Sequence, residues 1–161
     1  MSGNVAAERW TKSLLIEAAA RLLPTITCEQ LAGLFAASQI MVSPSSHDGT
    51  PNTLLEAMAC GCLPVVGDVA SLHEWIEDGK NGPLCDESNP NSLAKRIVRA
   101  IKDPDLRVDA AEINRNLVCA HAERSKVMAE AETLYREVLV SHRALPLARK
   151  RSISPLIHSL R

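Results

Sequence analysis

Two short apolar runs, Ile40-Met41-Val42 and Leu63-Pro64-Val65-Val66-Gly67, flank a single helix-forming stretch. That order predicts a β-α-β unit, since parallel strands need a crossover between them. The first run is β-branched in part and followed by Pro44, so it reads as a buried parallel strand. Between the runs, Ser43 to Gly49 is rich in serine, proline and glycine and reads as a turn. Thr50 is then expected to cap a helix, with Pro51 at its first position and Gly61 stopping it.

The same alternation continues on both sides. Leu14, Leu15, Ala18, Ala19 and Leu22 form a helical stripe that predicts a helix over 10–23, ended by Pro24. Ser2-Gly3-Asn4 reads as the end of a loop. Leu31, Leu34 and Phe35 predict a second helix over 28–37. After Gly67 come a short helix at 72–76, a turn at Asp78-Gly79-Lys80-Asn81-Gly82, and a short strand at Pro83-Leu84-Cys85. A helix opens at Pro90 with Asn89 as its cap and runs through Leu93, Ile97, Val98 and Ile101. Two more follow at 105–119 and 125–140. Strands alternating with helices predict an α/β fold with a doubly wound parallel sheet and C-terminal helices. Residues 1–140 read as one lobe. From Ser141 the chain turns basic, with Arg143, Arg149, Lys150, Arg151 and Arg161 unmatched by acids, and residues 141–161 read as a basic tail.

Composition removes several classes of function. The net charge of −1 favours neither nucleic acid nor membrane in bulk, and 2% aromatic residues leave few platforms for stacking bases. No nucleic-acid partner is expected. No apolar run is long enough to span a bilayer, and Met1–Trp10 lacks the pattern of a secretory signal. Cys28, Cys60, Cys62, Cys85 and Cys119 make an odd count, which suits a reduced, cytoplasmic setting.

The candidate site lies at the turn between the first strand and its helix. In open α/β sheets, ligands bind beyond the carboxyl ends of the strands. A helix starting near Pro51 turns its free N–H groups and dipole toward that crevice, which favours an anion such as a diphosphate. Gly49 permits close approach to the backbone. Asp48 can accept hydrogen bonds from hydroxyls beside the phosphate. Glu56, one turn beyond Asn52 on the same face, can hold a vicinal diol such as a ribose. Its apolar neighbours Leu54, Leu55, Ala57 and Met58 argue against a fully solvated position. Two acids around a helix amino end suit one extended ligand, a nucleotide sugar.

These residues also carry a resemblance. Asp48-Gly49-Thr50-Pro51-Asn52-Thr53-Leu54-Leu55-Glu56-Ala57-Met58-Ala59-Cys60-Gly61-Cys62-Leu63-Pro64-Val65-Val66 resembles the signature of family 4 retaining glycosyltransferases, which have the GT-B architecture of two Rossmann-like lobes. Glu74-Trp75-Ile76-Glu77-Asp78-Gly79-Lys80-Asn81-Gly82 is similar to that family's continuation. The resemblance implies the C-terminal donor-binding lobe, truncated on its N-terminal side and lacking the basic phosphate clamp and the acceptor lobe. It implies a UDP- or GDP-sugar as donor, with no cofactor and no metal. Asp48 would touch the transferred sugar and Glu56 the ribose, and these two are the catalytic candidates. Gly49, Thr50, Pro51 and Asn52 would meet the sugar and diphosphate, and Leu55 would pack near the ribose. His47, beside the first acid, joins the donor-binding candidates. Two departures stand out. Asp48 takes the place of a usual Glu, one methylene longer, and Ala70-Ser71 replaces a Gly pair.

Plainer readings compete. Cys60-Gly61-Cys62 lacks the second ligand pair of a metal site and reads as small packing residues. Glu74 reads as a helix cap or loop-bonding residue, and His47 and His73 as polar surface. The basic tail is a solvated extension or a contact with an anionic membrane surface. The alternative function is a non-catalytic module that oligomerises through an exposed sheet edge.

Overall fold

The computed structural model of the chain describes residues 2–47 and 49–144. Asp48 and the tail beyond Ala144 lie outside the described residues. Two units divide the chain, Met1–Cys119 and Ala120–Arg161.

In the first unit, three strands, β1 (Ile40–Ser43), β2 (Leu63–Gly67) and β3 (Leu84–Cys85), form a parallel sheet in the order β1-β2-β3. Ile40 stands opposite Leu63, and Val66 opposite Leu84. Helices α1 (Ser2–Ser13) and α2 (Cys28–Ala37) precede the sheet. Helix α3 (Asn52–Ala59) connects β1 to β2, and a 3-10 turn (Ala70–Glu74) lies between β2 and β3. Helices α4 (Pro90–Lys102) and α5 (Pro104–His121) follow β3. The expected β-α-β unit and the doubly wound arrangement are both present.

Successive residues of β2 feed opposite faces, as strand geometry requires. Val66 joins Leu54 and Met58 of α3, with Leu72, Ile76 and Leu84, in one buried cluster. Leu63 and Val65 join Ala100 of α4 and Leu106 and Ala110 of α5 in the other. Each fully buried large side chain contributes about 1.5–3 kcal/mol. Helix α5 serves both faces, because Leu117 and Val118 near its end pack against the first cluster.

Several expectations are corrected. The stripe over 10–23 does not make a helix there. Helix α1 instead takes in Ser2-Gly3-Asn4 and stops at Ser13. Its end is a Schellman turn, with Leu15 N–H bonded to Lys12 O, Ile16 N–H bonded to Thr11 O, and Leu15 at φ 54°. Leu14 and Leu15 remain 59% and 87% exposed, so the stripe has no packing surface to reward helix formation. β1 is an edge strand rather than a buried one, with Val42 41% exposed. In α4 the buried stripe is Leu93, Ile97 and Ala100, while Val98 and Ile101 face outward. The short helix expected at 72–76 is the 3-10 turn at 70–74. The capping box at Thr27 and Gln30 and the Asn89 cap explain why α2 and α4 begin where they do.

In the second unit, the helix expected at 125–140 is α6 (Arg124–Ala144), and it exposes Met128, Leu134, Tyr135 and Val138. Among the described residues, no helix is long and apolar enough to cross a membrane.

Candidate functional site

The carboxyl ends of β1 and β2 come together beneath one loop. Gly67 ends β2, and a Cβ there would lie 2.2 Å from the carbonyl oxygen of Ser45. Only glycine lets the post-β1 loop lie across β2 so closely. That loop leads through His47 and Gly49 to α3. His47, Gly49 and Thr50 are all exposed, and a Cβ on Gly49 would meet open space.

The start of α3 differs from expectation in one respect. Pro51 is the N-cap, at φ −72° and ψ 130°, and Thr50 lies one residue outside the helix. Proline has no side-chain oxygen to bond the first-turn amides. The N-terminal end of α3 is therefore uncapped by its own N-cap residue and adjoins the exposed loop. Thr50 is engaged elsewhere, its hydroxyl accepting the indole N–H of Trp75 at 3.1 Å.

Helix periodicity sorts the rest of α3. Leu54, Ala57 and Met58 are buried, Leu55 is half-buried against the first core cluster, and Asn52 and Glu56 share the exposed face. Apolar neighbours in sequence do not bury Glu56, because they project to the other side of the helix. No hydrogen bond or ion pair engages its carboxylate among the described residues. Asp48, the other acid of the candidate pair, lies outside the described residues.

Residues that the sequence reading did not connect complete the surroundings. Asp68 follows β2 and ties its N–H to Cys85 O at 2.9 Å, while its carboxylate meets His73 Nε2 at 2.6 Å. Both partners are more than half exposed, so the pair orients the 3-10 turn more than it stabilises the fold. Glu74 shows neither a cap nor a loop bond among the described residues. Asn81 in the turn and Asn114 on α5 are buried polar residues joined reciprocally, with 2.8 Å bonds from Asn81 Nδ2 to Asn114 Oδ1 and from Asn114 Nδ2 to Asn81 O. Asn114 is a polar residue among the apolar Ala110, Ile113 and Leu117 of α5, which is a signal in the sequence, but its partner lies 33 positions away.

Cys62 and Cys85 are packed into the scaffold, whereas Cys28 and Cys119 are exposed. The Cys62 thiol reaches Phe35 O at 3.1 Å, and that of Cys85 reaches Val66 O at 3.2 Å. Burial pushes both thiols above their ordinary value; Cys60 adds to this at the first, while at the second Arg96 opposes it and neighbouring carboxylates add to it.

The described part of the first unit is an open parallel sheet of the α/β class, in which ligands lie beyond the carboxyl ends of the strands. The family described as Glycosyl transferases group 1 matches residues 3–117, and the chain belongs to that family. It is 32% identical over 112 residues to N-acetyl-alpha-D-glucosaminyl L-malate synthase of Bacillus anthracis, a match covering 69% of this chain and 29% of that protein. It is 30% identical over 125 residues to D-inositol 3-phosphate glycosyltransferase of Corynebacterium jeikeium (strain K411), covering 78% of this chain and 29% of the relative. The chain thus spans under a third of the length of these two relatives. Sucrose-phosphate synthase from Thermosynechococcus elongatus superposes with a TM-score of 0.75 at 25% identity, covering 84% of this chain and 35% of that one. Anabaena HepE in complex with UDP-glucose superposes at 0.74 with 22% identity, covering 81% and 36%, a likeness of fold. The architecture is that of GT-B glycosyltransferases.

Proposed function

We propose that this chain is the donor-binding lobe of a family 4, retaining glycosyltransferase that takes a sugar from UDP or GDP. One observation carries the reading. The α3 amino end, with no capping side chain from Pro51, opens beside the exposed Gly49–Thr50 backbone, and Glu56 stands one turn along the same exposed face as Asn52. In this reading the first-turn amides and Gly49 to Asn52 hold the diphosphate and sugar. Glu56 holds the ribose, Leu55 packs beneath it, and Asp48 and His47 reach the transferred sugar. The departing diphosphate is stabilised by the helix end without a metal. UDP-glucose in the HepE complex supports the choice of donor class. The reaction belongs to the cytoplasm, and the lobe by itself binds donor weakly and transfers nothing.

Titration of UDP-glucose and GDP-mannose by NMR or calorimetry tests this. Glu56→Ala should weaken binding by at least about tenfold, the scale of a lost charge-assisted hydrogen bond, with unchanged melting. Equal affinity in wild type and variant argues against the assignment.

The edge position of β1 favours a second reading, an interaction module that pairs this edge with another copy. A stable oligomer without nucleotide affinity, seen by solution mass measurement, would select it.

A further inference from the structure

The loop that enters α3 is exposed on its outer side, yet one side chain ties it to the interior. Trp75 lies just past the 3-10 turn and is half-buried against the cluster of Leu54, Met58, Val66, Leu72, Ile76 and Leu84. Its indole N–H donates to Thr50 Oγ1 at 3.1 Å. Its carbonyl accepts from Asn81 Nδ2 at 2.8 Å. Asn81 is itself immobilised, since its Oδ1 accepts from Glu77 N–H at 2.7 Å and its amide is locked reciprocally to Asn114 on α5. Every polar atom of the Asn81 side chain is thereby used. A continuous hydrogen-bonded chain runs from the middle of α5, through Asn81 and Trp75, to the residue preceding the N-cap of α3. The chain is buried at its Asn81–Asn114 end, where satisfied polar groups rigidify what they hold, and it reaches the surface at the Trp75–Thr50 bond.

We propose that Trp75 is a positioning residue that holds the Thr50 loop in its ligand-ready conformation. This rests on the donor-lobe reading given above. A loop of Gly, Thr, Pro and Asn loses conformational entropy when it closes on a ligand. An indole packed half-buried against the core cluster and bonded to the loop removes part of that loss before the ligand arrives. The residue works through Thr50 and needs no contact with the sugar. Its side chain is also suited to the task, since a phenylalanine would fill much of the same apolar space but present no donor.

The test uses the whole 161-residue chain, with UDP-glucose as probe. Trp75→Phe should speed amide hydrogen exchange several-fold at Gly49, Thr50, Asn52 and Thr53 in the ligand-free protein. It should weaken UDP-glucose about threefold to tenfold, the scale of one net hydrogen bond. Thr50→Val should do the same and shift the Trp75 indole N–H resonance, and Thr50→Ser should restore both. The double variant should be no weaker than either single one, because both remove the same bond. Unchanged loop exchange in Trp75→Phe, or losses that multiply in the double variant, overturns the proposal. If the wild-type chain binds no UDP-glucose while Trp75→Phe still loosens the loop, the anchor stands and the donor reading falls.

Discussion

β1 and β2 are adjacent, parallel and of comparable apolar character, yet their fates differ. Every residue of β2 is buried, whereas no residue of β1 is fully buried. The difference is position in the sheet. β2 has a strand on each side and helices over both faces, while β1 has one strand neighbour and ends in the loop that leads to Gly49. An apolar strand sequence therefore reports suitability for a sheet and leaves the degree of burial to its neighbours. Stability is concentrated on the central strand, and the exposed candidate residues are concentrated where the edge strand gives out.

Truncating one side chain on each strand should test this separation most severely. Leu63→Ala removes a wholly buried side chain beneath Ala100, Leu106 and Ala110, and a loss of about 2–5 kcal/mol is expected from transfer and cavity together. Val42→Ala on β1 should cost less than about 1 kcal/mol, since a large part of that side chain already meets water. Urea denaturation of the two variants measures both. Equal losses would show that β1 is covered in solution by something further.

A smaller effect is expected where the two strands meet. Gly67→Ala places a methyl group 2.2 Å from the Ser45 carbonyl, so the post-β1 loop must move, at about 1–3 kcal/mol. Gly49→Ala adds its methyl to open space and should shift stability by no more than about 0.5 kcal/mol. Thermal melting of the pair decides whether the loop is sterically constrained at β2 and has room for a methyl group at Gly49. If Gly67→Ala melts like wild type, the close crossing does not constrain the loop.

The contrast also explains which features were legible in the sequence. Elements with local punctuation were read well. The Asn89-Pro90 start of α4, the Asp78–Gly82 turn and the β2 run each carry their own signal within a few residues. The stop of α1 is not legible in the sequence because it is a left-handed Leu15, a residue type that seldom takes that conformation. The spacing puts Glu56 on the face of Asn52, as found, whereas the apolar neighbours mislead about its exposure, which follows from the helical angle that separates it from Leu54, Ala57 and Met58. At the site, the turn and helix were legible as a motif. The Trp75–Thr50, Asp68–His73 and Asn81–Asn114 pairs were not, because each depends on a register between elements that residue types alone do not fix. The edge position of β1 was hidden for the same reason.

The least effect expected is an ionisation around the central strand, and it should appear only in alkali. The thiols of Cys62, just before β2, and Cys85, paired beside it, are held protonated in the fold by burial, above their usual 9.0. In the unfolded chain the same thiols ionise near the ordinary value. As pH rises past about 9 the unfolded state binds fewer protons than the native state, so stability must fall with pH. Below that value both states keep the proton and the contribution is constant. Denaturant midpoints measured from pH 7 to 10 should therefore decline at the top of the range. Cys62→Ala, compared with its own value at pH 7, should flatten part of that decline. Replacing Cys28, which is exposed, serves as the control. An equal flattening by both variants would mean that the slope reports on general alkaline loosening rather than on the dry environment of β2.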